Sequence, residues 1–190
     1  MRCFIALPID PNTRGTLHNC SLRLQTQPWA HHIKWFNADN YHLTLQFIGS
    51  KVTADKVDQI TQAMDNWLEN IPAFEIRIKR IELFPDNSAP HTITATIENN
   101  PRLNRLAKLI ADKLSTIGLQ PSQKSFRPHI SLGRINTKAG SKDFLIPPAL
   151  NQVSQFDLAL RVDTITLYRS ELTQTAPIYT ELKSIYLNNH

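Results

Sequence analysis

Apolar positions along this chain recur with two periods, and the places where the period changes outline its elements. Spacing of three to four places Val57, Ile60, Met64 and Trp67/Leu68 on one helical face, which predicts a helix from Thr53 to about Asn70. The same spacing at Leu103, Leu106, Leu109/Ile110 and Leu114 predicts a second helix from Pro101 to about Ile117, stopped at Gly118. Asp10 and Pro11 open a third that runs to about Gln27. Between these helices the pattern alternates or runs apolar. Strands are predicted at 2–8, 33–36, 42–48, from Phe74 through Ile81 with a break at Leu83-Phe84-Pro85-Asp86-Asn87, and at 91–98. Further strands follow at 126–134, Phe156–Val162, Ile165–Tyr168 and Ile178–Leu187, with a loop over 137–151 that is rich in Lys, Gly, Ser and Pro.

Strands and helices in this order give an α+β fold of mostly antiparallel sheets backed by helices. No linker divides the 190 residues, so residues 1–190 form one domain, read here as two lobes with two sheets walling a groove.

Two strand segments are near-copies. His42-Leu43-Thr44-Leu45 returns as His129-Ile130-Ser131-Leu132. Successive side chains on a strand point to opposite faces, so each copy sets an imidazole and a hydroxyl on one face and two apolar residues on the other. If the copies belong to related lobes, both faces meet across one cleft.

Composition narrows the chemistry. An apolar content of 41% indicates a folded globular chain. Cys3 and Cys20 have neither a disulfide framework nor metal-site spacing, which points to a reducing, cytoplasmic setting. No segment has the pattern of a signal peptide or a membrane span. The net charge of +5 weakly favours a polyanionic partner, and its basic residues are scattered, as in Arg77, Lys79 and Arg80 or Lys124, Arg127 and Arg134.

Two imidazoles facing one site suit metal-free phosphoryl transfer. An unprotonated histidine takes a proton from water or a hydroxyl and a protonated one supplies the leaving oxygen, both forms being accessible near the ordinary imidazole pKa of about 6.5. Thr44 and Ser131 are placed to donate to non-bridging phosphate oxygens, and Arg134 to support developing negative charge. Strict alternation, however, puts Arg134 on the face opposite His129, and a twist or bulge near Gly133 is required to bring it round. Phe47, Trp35, Phe84 and Phe126 read as core, His31-His32 as a polar loop, and His91 and His190 as histidines without a paired context. A metal site is disfavoured, because two imidazoles and two hydroxyls make a poor ligand set.

With these motifs in place the chain resembles the two-histidine phosphoesterase superfamily, and within it the LigT-like RNA 2′,3′-cyclic phosphodiesterases. The resemblance starts at Arg2-Cys3-Phe4-Ile5-Ala6-Leu7-Pro8, passes through Trp35, His42–Gly49, Leu83-Phe84-Pro85 and Phe126–Arg134, and ends at Leu167–Leu172 and Tyr179. It implies a bilobal, pseudo-two-fold α+β fold with a central cleft. It also implies opening of a terminal RNA 2′,3′-cyclic phosphate to a 2′-phosphate without metal or other cofactor, and in some relatives 2′–5′ RNA ligation. On this chain His42 is then the proton donor, His129 the proton acceptor, and Thr44, Ser131 and Arg134 bind substrate. Expected partners are RNA ends or nucleoside 2′,3′-cyclic phosphates, with no membrane, no obligatory protein partner and a monomeric state. Ser131 stands where relatives have threonine, which keeps the hydroxyl, and His91 stands where they often carry an aromatic residue, which leaves base preference open. The alternatives are action on a small cyclic nucleotide or a 2′–5′ oligonucleotide, and RNA binding without catalysis.

Overall fold

In the computed structural model, residues 1–85, 90–120, 125–136, 150, 155–174 and 176–188 are described. Among these residues nine strands are present: β1 (Arg2–Pro8), β2 (Ile33–Trp35), β3 (His42–Gly49), β4 (Phe74–Phe84), β5 (Thr92–Ile97), β6 (His129–Ile135), β7 (Gln155–Val162), β8 (Thr164–Leu172) and β9 (Pro177–Tyr186). Among the described residues three α-helices with defined bounds accompany them: α1 (Pro11–Gln25), α2 (Ala54–Leu68) and α3 (Pro101–Thr116). The side chains of Asp10, Thr53 and Asn100 accept from the first free amides of these helices, so each one starts where a capping oxygen satisfies its orphan donors. The apolar stripes read from sequence are the buried ones, Val57, Ile60, Met64 and Leu68 in α2 and Leu103, Leu106, Ile110 and Leu114 in α3. The loop expected over 137–151 lies outside the described residues apart from Leu150. No described helix is long and apolar enough to cross a membrane.

The expected antiparallel sheets are present, but they are joined edge to edge. One sheet runs β7-β4-β5-β6-β3-β1-β8-β9, and β2 pairs with β6. The junction between β6 and β3 is a single register pair, Leu43 with Ile130, so the second residue of each motif lies at the seam. From there the two halves repeat one register. Ala6 pairs with Thr44 as Thr94 pairs with Ser131, Phe4 with Phe47 as Thr92 with Arg134, and Tyr168 with Phe4 as Phe84 with Thr92. Leu43, Leu45, Ile130 and Leu132 are buried among the core side chains, while His42, Thr44, His129 and Ser131 are half-buried on the other face.

The sheet is coiled rather than flat. Asn40, just before β3, donates from Nδ2 to the Pro177 carbonyl at the start of β9 (3.1 Å), three strands away along the sheet. This folds the corner of the sheet that carries Tyr179 back over His42.

Candidate active site

Each histidine is held by the main chain just before it. The Nδ1 of His42 lies 2.7 Å from the Asn40 carbonyl, and the Nδ1 of His129 lies 2.7 Å from the Arg127 carbonyl. A carbonyl oxygen only accepts, so Nδ1 carries the proton in both rings and both Nε2 atoms are left for substrate. The local sequence makes this possible because each histidine opens its strand, and the carbonyl two residues earlier is free of the ladder.

The surroundings of the two rings differ. His42 lies against Phe4 (centroids 4.8 Å apart) and meets Tyr179 edge-on (5.1 Å), with Tyr168 at 6.5 Å. His129 is stacked on Phe84 (4.2 Å, 28° between planes). The register explains the contrast. Phe4 in one half corresponds to the small Thr92 in the other, so Phe84 reaches His129 directly whereas Tyr168 is held off His42 by the Phe4 ring. The Arg127 guanidinium lies over the Phe84 ring, with Cζ 4.7 Å from its centroid, and its Nη2 donates to the Pro85 carbonyl at 2.7 Å.

Burial pushes the pKa of His42 below the ordinary imidazole value; the Asn40 carbonyl opposes this and the charge of His129 adds to it. Burial likewise lowers that of His129; the Arg127 carbonyl opposes it, and the positive charges of Arg127 and His91 add to it. Both rings thus lie against aromatic side chains and both are lowered first by burial, with one neighbouring cation adding to this at His42 and two at His129.

Arg134 is on the site face. Consecutive residues Thr94 and Ile93 of β5 pair with Ser131 and Gly133 of β6, so Leu132 is the extra residue of a β-bulge and the alternation changes parity after it. Arg134 is accordingly exposed while Gly133 and Ile135 are buried, and its charge acts on the Tyr179 phenol. The first motif contains the same bulge. Ala6 and Ile5 pair with Thr44 and Gln46 and leave Leu45 as the extra residue, which turns Phe47 to the face of His42.

The structure brings together His42, Thr44, His129, Ser131 and Arg134, and adds Phe4, Phe84, Arg127, Tyr168 and Tyr179. Two of the aromatics expected in the core, Phe84 and Phe47, are half-buried on the site face instead; Trp35 and Phe126 pack in part against the core. The bulges account for Phe47, since strict alternation from His42 would bury it. His91 meets Phe84 edge-on at 5.9 Å and thereby belongs to the His129 surroundings, while His190 lies outside the described residues. Arg77, Lys79 and Arg80 are paired with Glu75, Asp157, Glu98 and Glu82. A groove of about 500 Å³ leads away from His129 past Phe84, Thr94, Thr96, Phe126 and Arg127. Among the described residues no three His, Cys, Asp or Glu side chains converge as a metal-ligand set.

The model of the 2′-5′ RNA ligase superfamily matches residues 20–174, a span that includes both histidine motifs. The chain belongs to this superfamily. It is 30% identical to a protein of Aquifex aeolicus over 81% of each chain, and 28% identical to one of Thermotoga maritima over 94% of this chain and 91% of that one. Both relatives are named RNA 2′,3′-cyclic phosphodiesterase. Among solved structures, E. coli LigT complexed with 3′-AMP superposes with a TM-score of 0.77 at 25% identity, covering 99% of this chain and 98% of that one. A Thermus thermophilus protein shares the fold with a TM-score of 0.82 at 23% identity, covering 100% of this chain and 99% of that one.

Proposed function

We propose that this protein is an RNA 2′,3′-cyclic phosphodiesterase that opens the cyclic phosphate at an RNA end by metal-independent acid–base catalysis and leaves a 2′-phosphate. The observation that carries this reading is the matched pair of imidazoles, each with Nδ1 tied to a carbonyl and Nε2 free on one face of the sheet. The names of its relatives point to the same reaction.

His129 Nε2 takes a proton from water as its oxygen attacks phosphorus. His42 Nε2 delivers a proton to the ribose 3′ oxygen as the P–O3′ bond breaks. Thr44 and Ser131 donate to the non-bridging oxygens, and Arg134 offsets the added charge in the transition state. The electrostatic surroundings support this assignment of roles. Arg127 and His91 favour neutral His129, the form a base requires. Burial holds the His42 pKa low in the free protein, and a bound phosphodiester anion raises it towards the cation an acid requires. The two halves of the sheet act as two lobes of one domain over 1–190, each contributing one histidine and one hydroxyl. The free thiols of Cys3 and Cys20 fit a cytoplasmic setting.

Turnover of a nucleoside 2′,3′-cyclic phosphate in EDTA, with the product isomer identified, tests the reading for the native chain and for His129→Ala. A 2′-phosphate product that disappears in the variant is expected. A 3′-phosphate would reverse the leaving group and so the direction of attack. No turnover by the native chain would defeat the activity.

A further inference from the structure

The two motifs match histidine with histidine and hydroxyl with hydroxyl, but three positions past the hydroxyls one half has Arg134 and the other has Phe47. Both side chains reach the site face through equivalent bulges. The guanidinium absent from the Phe47 position is supplied by another strand. Arg2 of β1 lies with its Cζ 4.4 Å from the Phe47 ring centroid. Alternation along β1 puts Arg2 on the face of Phe4, and the Phe4 ring is 4.8 Å from His42 and 5.2 Å from Tyr179. Arg2 and Arg134 both act on the Tyr179 phenol, whose pKa burial raises and these two charges lower.

Among the described residues neither Arg2 nor Arg134 is paired with a carboxylate, whereas Arg14, Arg77, Arg80, Arg161 and Arg169 all are. A guanidinium stacked on an aromatic ring keeps its in-plane N–H groups free, and this planar fork matches two phosphate oxygens. The cleft therefore offers two free guanidiniums, one from each half.

We propose that Arg2, seated on Phe47, forms a second phosphate subsite, which takes the 5′-phosphate of the nucleotide whose cyclic phosphate lies between His42 and His129. This inference rests on the proposed function and adds a substrate class to it. A nucleotide at an RNA 3′ end that carries a 2′,3′-cyclic phosphate has one other phosphate, the 5′ one that links it to the chain. An enzyme with a subsite for that group selects polynucleotide ends over free nucleoside cyclic phosphates. The subsite also fixes direction, because the chain leaves the cleft past Phe4 and Tyr179, away from the groove beside His129.

The test is binding of two product-like probes, a nucleoside 2′-phosphate and the corresponding 2′,5′-bisphosphate, measured by calorimetry on the full chain. In the native protein the 5′-phosphate should tighten binding about tenfold, the scale of one charge-assisted contact. In Arg2→Gln the ratio of the two affinities should fall to about one. Phe47→Leu, which removes the ring but not the charge, should lower the ratio by less, and thermal melts establish that each variant is folded. A ratio near one in the native protein, or a native-like ratio in Arg2→Gln, would overturn the subsite. Binding is read without turnover, so a chain that shows the expected ratios yet opens no cyclic phosphate would defeat the catalytic reading and leave the subsite standing.

Discussion

Leu43 and Ile130 face each other across the seam between β3 and β6, and among the described residues they are the one register pair between these two strands. Each is fully buried, and each is followed by a motif hydroxyl and preceded by a motif histidine. An antiparallel pair is locally two-fold about its centre, so fixing this one pair places His42 and His129 symmetrically about it. The seam is thus where core packing becomes active-site geometry.

The two faces of the seam should respond differently to truncation. Leu43→Ala removes buried volume and should cost about 2–5 kcal/mol of stability, read from denaturant unfolding. His42→Ala and His129→Ala remove half-buried rings and should leave melting nearly unchanged while lowering kcat about 10²–10⁴-fold. The double histidine variant should be little slower than the worse single one, since the two act as a unit. Native-like turnover in either single variant would exclude the two-histidine mechanism.

The pH profile follows from the direction of the histidine shifts. Both imidazoles are lowered in the free protein, so both limbs of the kcat/KM profile should lie below the ordinary value of about 6.5, with an optimum on the acid side of neutrality. In the complex the phosphodiester favours the imidazolium, so the limbs of kcat should lie at higher pH than those of kcat/KM. Stability carries the same sign. A histidine whose pKa is lower folded than unfolded contributes stability that is present above about pH 6.5 and is lost as pH falls towards the folded value. The melting temperature should decline as pH drops from 7 to 5, and the decline should be shallower in His42→Asn.

Arg127 sets the His129 limb. Its charge lowers the imidazole, after burial, and its guanidinium clamps the Phe84-Pro85 segment that stacks on the ring. Arg127→Gln should therefore raise the His129 pKa and move the acid limb of kcat/KM to higher pH. Arg127→Lys keeps the charge and should leave the limb close to its native position. A limb that does not move in Arg127→Gln would show that His129 does not report it.

Gly133 is required by the close approach of β2. A Cβ there would stand 2.7 Å from Ile33 Cγ2 and 3.2 Å from Trp35 Cε3. Gly133→Ala should cost about 1–3 kcal/mol, as overpacking does, and should also slow turnover because the adjacent Arg134 shifts with the strand. Arg134→Ala should lower kcat by about 10²–10³-fold with little loss of stability, which separates the two effects.

Local spacing alone carried much of this. The apolar stripes of α2 and α3, the opening residues Asp10 and Thr53, and the alternation around His42 and His129 are short-range patterns, and the elements formed there; β4 instead runs on through the break expected at Leu83-Phe84, because these two residues pair with Ile93 and Thr92 of β5. The repeated tetrapeptide also made the chemistry legible, because an imidazole and a hydroxyl two residues apart on a strand share a face whatever lies beyond it. What no local pattern contained was the position of the extra residue in each ladder. A bulge depends on how two strands distant in sequence register against each other, so the exposure of Arg134 and the site-facing Phe47 were decided by the pairing of β6 with β5 and β3 with β1, and the place of Phe84 by the pairing of β4 with β5. The same holds for Arg2, Arg127 and Tyr179. Their roles arise from ring and charge contacts between separate strands and loops, brought within reach when the sheet coils. The sequence by itself determined the elements and the pair of histidines; only the tertiary register decided which cations and rings surround them.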